Sequence, residues 1–117
     1  MTDSFLRQFK EEVNLFVNER DWSQFQTPKN LSMALIVEAA ELVEHFQWMR
    51  PKESDSLSKD RKAKVAEELA DIFIYTVCLA SRLGIDLEQS AKDKLTKNRQ
   101  KYPAEKARGK ATKYTEL

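Results

Sequence analysis

The chain is poor in the residues that interrupt helices. Among 117 residues there are only two glycines and three prolines. Alternation of β-branched and polar residues, the pattern of a half-buried strand, is also scarce. These absences argue against a β-sheet protein and favour an all-α fold.

Several protein classes are excluded by what else is missing. A single cysteine, Cys78, rules out an intramolecular disulfide and a cysteine-rich zinc site, and its apolar surroundings predict a buried packing role. No run of about 18 apolar residues exists, so no membrane span is expected. The amphipathic first 20 residues carry acids, unlike a secretory signal peptide. We therefore expect a cytoplasmic protein.

Charge is dense but balanced. The 20 Lys and Arg residues face 19 Asp and Glu residues, for a net charge of +1. A nucleic-acid-binding domain usually has a clear basic excess, so no nucleic-acid partner is expected. A hydrophobic content of 41% suits one small domain.

Helical spacing and capping residues predict four helices. The first is expected over residues 3–20, and the second from Thr27 and Pro28 to about Arg50. A polar loop follows. The third helix is expected to begin at Ser58 or Asp60 and to end at Gly84; the fourth spans residues 86–101, where Asp86 and Gln89 resemble a capping box. Short connections indicate a four-helix bundle over residues 1–103, with an extended or mobile tail at 104–117.

The third helix contains a run, IFIYTVCLA, that is apolar on nearly every side. A helix with that pattern must be buried all round, and so small a domain cannot surround it alone. We therefore expect a homo-oligomer, a dimer or a tetramer.

Acidic residues lie within or beside the apolar stripes of two helices. Glu38 and Glu41 form an i, i+3 pair on the second helix, and Glu68 and Asp71 form another on the third. Such pairs lie about 5 to 6 Å apart on one face. Glu44 is expected to be solvated, since it lies further round. If the two faces meet, four carboxylates converge beside the core.

Converging carboxylates need protons or cations, because burying unpaired like charges costs on the order of several kcal/mol per ion. A hard divalent cation suits oxygen ligands, and Mg²⁺ commonly takes phosphate oxygens as well. A di-iron centre would need Glu-x-x-His on two helices, but the lone His45 follows Glu41 by four residues. His45 is expected to form hydrogen bonds at a helix face. The remaining alternative is acids that merely decorate the surface of a structural bundle.

Aromatic and basic residues accompany the acids. Trp48 and Tyr75 fall near them on the helical wheel, and Trp22 lies in the loop before the second helix. Nucleobases stack on such rings. The fourth helix presents Lys94 and Asn98 on one face, which suit phosphate and a base edge, although a solvated basic helix end explains them as well.

The motifs together resemble those of a known family. E38-A-A-E41 and E68-L-A-D71 are similar to the E-x-x-E and E-x-x-D motifs of the MazG-like all-α nucleoside triphosphate pyrophosphohydrolases. RDWSQFQTPKNL, VEAAELVEHFQW, EELADIFIY and NRQKYP resemble, in the same order, segments of the dCTP pyrophosphatase branch. The resemblance covers residues 20–103.

This resemblance implies an activity and a set of roles. The family cleaves nucleoside triphosphates between the α- and β-phosphates with Mg²⁺ and forms dimers or tetramers, so dCTP or a modified dCTP is the implied substrate. By motif, the metal ligands would be Glu38, Glu41, Glu68 and Asp71, and one of them, or a neighbour through water, would orient the attacking water. The base pocket would contain Trp22, Trp48 and Tyr75, with Asn98 on the nucleotide and Lys94 and Tyr102 on the phosphates.

Three positions depart from the family pattern. Gln26 stands where relatives have His near the base pocket, and Val37 and Ala40 stand where they have Gly. These changes leave the acidic motifs intact and put the base preference in question. A non-catalytic nucleotide-binding regulator or scaffold is the alternative, but a pure binder would not need all four acids.

Overall fold

The computed structural model describes residues 4–117, and every regular element in that range is helical. The α-helices are α1 (Phe5–Glu19), α2 (Pro28–Glu44), α3 (Pro51–Ser54), α4 (Lys59–Arg82), α5 (Leu87–Lys101) and α6 (Ala104–Ala107). Helices α3 and α6 are single turns, and 3-10 turns occur at Ser23–Phe25 and Tyr114–Glu116. The four longer helices have 15 to 24 residues, which confirms the all-α prediction. Residue 3, the predicted start of the first helix, lies outside the described residues.

Side-chain caps fix where the helices begin. The Thr27 hydroxyl oxygen accepts a hydrogen bond from the Asn30 amide at 3.2 Å, with Pro28 at the first helical position. The Ser58 hydroxyl oxygen caps α4 in the same way at 3.1 Å. Of the two residues considered for this cap, Ser58 is therefore the one used.

The start of α5 forms only half of the predicted capping box. The Asp86 carboxylate accepts from the Gln89 amide at 3.0 Å. The Gln89 side chain donates to Asp93, at 2.8 Å, instead of returning to the backbone of Asp86 as a full box requires. The helix is therefore capped from one direction.

Two helices end in the same hydrogen-bonded motif. After α4, Gly84 has φ +67° and the amide of Ile85 donates to the Ala80 carbonyl at 2.8 Å. This is the Schellman pattern that glycine favours, and it confirms Gly84 as the end signal. After α1, Asp21 takes the corresponding left-handed position with φ 54°. Asp tolerates this conformation better than most side chains do.

The predicted end of α2 at about Arg50 is wrong, since the helix ends at Glu44. From His45 the chain continues as turns, with the Phe46 amide bonded to the Val43 carbonyl at 2.9 Å and the Met49 amide bonded to that of Phe46 at 2.9 Å. These i to i−3 bonds tighten the last turn. The positions after Glu44 therefore leave the helical wheel on which Trp48 was expected to lie near Glu41.

The chain divides into two compact units, Met1–Ile85 and Asp86–Leu117. In the first, α4 packs against α2 and α1. Its core is a cluster of buried side chains from those three helices: Val13, Val17, Leu31 and Cys78. Only 6% of Cys78 is exposed, which confirms its packing role. No helix in the described range is long and apolar enough to cross a membrane.

The second unit contains α5, α6 and the C-terminal residues. The rings of Tyr102 and Tyr114 meet edge to face, with 5.9 Å between centroids, and Lys101 Nζ lies 4.8 Å from the centroid of the Tyr114 ring. The segment expected to be extended or mobile, 104–117, thus includes the helical turn α6 and a 3-10 turn. The single domain over residues 1–103 remains a prediction.

Candidate metal centre

Packing of α2 against α4 gathers three carboxylates. Glu38 and Glu41 come from α2 and Glu68 from α4, and one oxygen of each lies within 4.8 Å of the others. The i, i+3 spacing places the first two on one helix face, and the helix contact brings the third. Glu44 and Glu67, their neighbours in sequence, are exposed.

Two oxygens of this cluster lack partners. Glu38 Oε2 and Glu68 Oε2 are buried and have no hydrogen bond from any described residue. The pKa of Glu38 is raised from 4.5 to about 7, mainly by burial and further by the neighbouring carboxyl groups of Glu41, Asp71 and Glu68. The cluster therefore destabilises its own negative charge, as crowded carboxylates do.

Asp71 and Tyr75 adjoin the cluster. The Asp71 carboxylate is exposed and lies outside the closest three, although it is near enough to raise the pKa of Glu38. Burial raises the pKa of the Tyr75 hydroxyl, and the charges of Glu38 and Asp71 raise it further. Tyr75 thus lies beside the acids, as its position on the wheel predicted.

The cluster fits a hard divalent cation. Its donors are all carboxylate oxygens, which Mg²⁺ and Ca²⁺ prefer, and buried oxygens without partners are where a cation would restore the missing interactions. The same donors would be unsuited to a thiolate- or imidazole-preferring metal. Glu38, Glu41 and Glu68 could therefore hold such a cation.

A cavity of about 270 Å³ lies elsewhere in the first unit. Its apolar side consists of Val17, Leu31 and Cys78, and its polar lining comprises Asn14, Asn18, Ser23, Gln26, Ser81 and Arg82. The cavity thus offers three apolar side chains and several amide and hydroxyl groups, and its lining is more polar than that of a typical small-molecule site.

Hydrogen bonds brace the cavity walls. Arg82 Nη1 donates to the carbonyl and the hydroxyl oxygen of Ser23, both at 3.2 Å. The Asn14 amide donates to the Ser81 hydroxyl oxygen, also at 3.2 Å. No described residue bonds the side chain of Gln26, so its donor and its acceptor are both free for a ligand.

The three rings predicted to form the base pocket lie in different surroundings. Trp22 meets Phe16 edge to face, with 5.7 Å between ring centroids, and it is 45% exposed. Trp48 is 90% exposed and contacts no other ring in residues 4–117. Tyr75 packs on the core cluster. None of these three rings contacts another, so their grouping as a base pocket remains a prediction.

The remaining predicted residues belong to the second unit. Lys94 and Asn98 occupy α5 four residues apart, and the carbonyl of Asn98 accepts from the amide of Tyr102 at 2.8 Å. Tyr102 ends the helix and is 39% exposed. Their roles toward a nucleotide remain predictions.

Sequence reasoning missed the polar lining of the cavity apart from Gln26, which the family resemblance places near the base pocket. Asn14 and Asn18 are four residues apart on α1, and Ser81 and Arg82 end α4. Amides at that spacing are common on surface helices, so the sequence carries little sign of a cavity there. The long-range bond from Asn14 to Ser81 becomes visible only in the folded chain.

Comparison with known proteins identifies the family. The model of the MazG-like family matches residues 33–117, a range that includes both acidic motifs. The chain belongs to the MazG-like family.

Several individual proteins are similar to this chain in sequence or in structure. The protein named dCTP pyrophosphatase 1 is 46% identical over 104 residues in Bos taurus and 45% identical in Homo sapiens. These alignments cover 87% of this chain and 62% and 61% of the relatives, so the chain spans about three fifths of their length. A crystal structure described as a pyrophosphatase from Archaeoglobus fulgidus DSM 4304 has a TM-score of 0.82 and 35% identity, covering 88% of this chain and 96% of that one.

The raised pKa of Glu38 predicts a pH-dependent stability. Between pH 4.5 and about 7 the folded protein holds a proton that the unfolded chain has lost. The free energy of unfolding of the metal-free protein should therefore fall as pH rises through this window and level off above it. Glu38→Gln should remove this part of the slope, as measured by urea unfolding between pH 4 and 8.

The matched control is Glu44→Gln, an exposed acid on the same helix. It should keep the slope of the unaltered protein. An unchanged slope in Glu38→Gln would show that Glu38 ionises normally in the folded state.

Proposed function

We propose that the protein hydrolyses a deoxynucleoside or nucleoside triphosphate, dCTP or a modified dCTP, to the monophosphate and pyrophosphate with Mg²⁺. The cluster of Glu38, Glu41 and Glu68, with two buried oxygens lacking partners, carries this proposal. The relatives named dCTP pyrophosphatase 1 also support this proposal. Removal of side products from the nucleotide pool would be the cellular use.

The acids would hold the metal and serve the attacking water. Glu38, Glu41, Glu68 and Asp71 would bind Mg²⁺, which when bound neutralises phosphate charge and polarises the phosphorus. A carboxylate of the cluster would orient a water molecule and accept its proton as the water oxygen attacks in line. The water attacks either the α- or the β-phosphorus, and the bond from the attacked phosphorus to the oxygen that bridges the two breaks. Either route gives the monophosphate and pyrophosphate. No covalent intermediate is needed.

The cavity is proposed to receive the base. Leu31 and Cys78 line it and belong to the core cluster against which Tyr75 packs, while the Tyr75 hydroxyl lies close to the acids. Leu31 precedes Glu38 by seven residues, about 10 Å along the helix. A ligand with phosphates at one end and a base at the other suits that separation, and the free amide of Gln26 suits a base edge.

Further contacts are proposed from the family motifs. Trp22 and Trp48 would stack on the base. Asn98 would contact the nucleotide, and Lys94 and Tyr102 would contact its phosphates. The NRQKYP segment, which includes two of these residues, supports this assignment.

The alternative is a nucleotide-binding regulator or scaffold that does not catalyse. Such a protein gains nothing from placing several carboxylates near the phosphates of its ligand, because like charges repel. The cluster therefore favours the enzyme, and turnover distinguishes the two.

Loss of one cluster acid should strongly reduce turnover. Incubation with each common NTP and dNTP, with Mg²⁺ or with EDTA, should give Mg²⁺-dependent monophosphate and pyrophosphate, most of it from dCTP. Glu68→Gln should lower kcat about 100-fold or more, a size typical of removing one electrostatic stabiliser of the transition state. Chromatographic separation of the products measures both effects.

Glu67→Gln is the control, since it removes an exposed acid from the neighbouring position. It should retain activity. Release of orthophosphate, or no turnover of any nucleotide by the unaltered protein, would refute the hydrolase and favour the binding protein.

Gln26 should affect the choice of base. Gln26→Leu keeps the size of the side chain and removes both hydrogen-bonding groups, so kcat/KM for dCTP relative to dTTP should fall by up to about tenfold. Gln24→Leu, in the 3-10 turn that Gln26 follows and outside the cavity lining, should leave the ratio unchanged. An unchanged ratio in Gln26→Leu would mean that the cavity does not read the base.

We also propose a homo-oligomer, a dimer or tetramer. A stripe of apolar side chains on α2, each more than half exposed, supports it: Met33, Ile36, Val37 and Val43. Light scattering should give a mass of two or four chains. Ile36→Glu should lower that mass, whereas Leu15→Glu, at a similarly exposed site on α1, should not. A parent mass of one chain would refute the oligomer.

A further inference from the structure

A chain of three side chains reaches the cluster from outside. Arg61 Nη1 lies 3.1 Å from His45 Nδ1, and His45 Nε2 lies 3.8 Å from Glu68 Oε1. His45 and Glu68 are largely buried, with 16% and 19% of their side chains exposed. The imidazole therefore stands between a guanidinium group and a cluster carboxylate.

Arg61 fixes which nitrogen of His45 carries the hydrogen. A guanidinium group has donors and no acceptor, so His45 Nδ1 must accept in this contact. The hydrogen then resides on Nε2, the nitrogen that faces Glu68. At 3.8 Å the contact with Oε1 is longer than a hydrogen bond, and it orients the carboxylate by electrostatic attraction.

The two oxygens of Glu68 consequently differ. Oε1 faces the His45 ring, whereas Oε2 is buried without a hydrogen-bond partner. A carboxylate oriented by one oxygen presents the other in a fixed direction. Glu68 is thereby prepared to offer Oε2 to a cation.

The helices explain why these residues meet. Arg61 precedes Glu68 by seven residues, two turns of α4, so both lie on one face. His45 is the C-cap residue of α2, and the end of that helix inserts its ring between them. Arg61 is also held at its backbone, because its amide donates to the Ser58 hydroxyl oxygen.

We propose that His45 and Arg61 are positioning residues for the metal ligand Glu68. This rests on the proposed metal site and extends it to two residues outside the acidic motifs. His45 holds the carboxylate, and Arg61 holds the tautomer of His45. Partners of this kind behind a metal ligand typically change metal affinity 10- to 100-fold when removed.

Mn²⁺ binding tests the proposal without turnover. Free Mn²⁺ is counted by electron paramagnetic resonance during titration of the metal-free protein. His45→Leu should raise the dissociation constant roughly tenfold or more. His45→Gln, whose side-chain amide can still present a donor toward Glu68, should recover much of the affinity. Arg61→Leu should weaken binding in the same direction and by less.

Controls separate this effect from general damage. Lys64→Leu removes an exposed cation from the same helix and should bind Mn²⁺ as the parent does. Thermal melting reports folding, and if His45→Leu does not fold, His45→Gln and Arg61→Leu still decide. At saturating metal, KM for dCTP should be unchanged in each variant, as expected if only the metal ligand is affected.

Two failures are distinguishable. A parent protein that binds no Mn²⁺ would overturn the metal site and with it the proposed function. If the parent binds Mn²⁺ and both His45→Leu and Arg61→Leu bind it as tightly as the parent does, the positioning role alone would be overturned.

Discussion

The site depends on one constraint: the apolar contact between α2 and α4 holds three carboxylates together although their charges repel each other. Helices α2 and α4 pack through their apolar faces, and the same contact brings Glu38 and Glu68 together. Burial of the apolar side chains favours the contact between the two helices, whereas repulsion between the carboxylates opposes it. Only a proton or a cation satisfies both, and the raised pKa of Glu38 is the metal-free response. Binding of a proton or a cation therefore offsets the repulsion between these acids.

Local chemistry made much of the fold predictable. Thr27, Ser58 and Gly84 set helix ends through contacts within a few residues, and such contacts are visible in a sequence. Spacing of three residues likewise placed Glu38 and Glu41 on one face. The convergence of the two acidic pairs was expected only if the two helix faces meet. In the structure α2 packs against α4 and brings Glu68 beside Glu38 and Glu41, while Asp71 lies outside the closest three.

What could not be predicted depends on the exact path of the chain or on distant contacts. The last turn of α2 tightens after Glu44, which moved Trp48 away from its expected position on the wheel. His45 was expected to be a hydrogen-bonding residue, but nothing in the sequence pairs it with Arg61, 16 residues away. The bond between Asn14 and Ser81 spans 67 residues. Spacing rules do not reach that far.

An arginine at each end of α4 connects it to the segment that carries α2. Arg82 bonds Ser23 just before α2 begins, and Arg61 contacts His45 where α2 ends. The two points are 21 residues apart on α4, about 30 Å. Rotation or sliding of α4 relative to α2 would break at least one of these two contacts. The carboxylates lie between these two contacts, so their spacing is supported from both ends of α4 as well as by the packing between the helices.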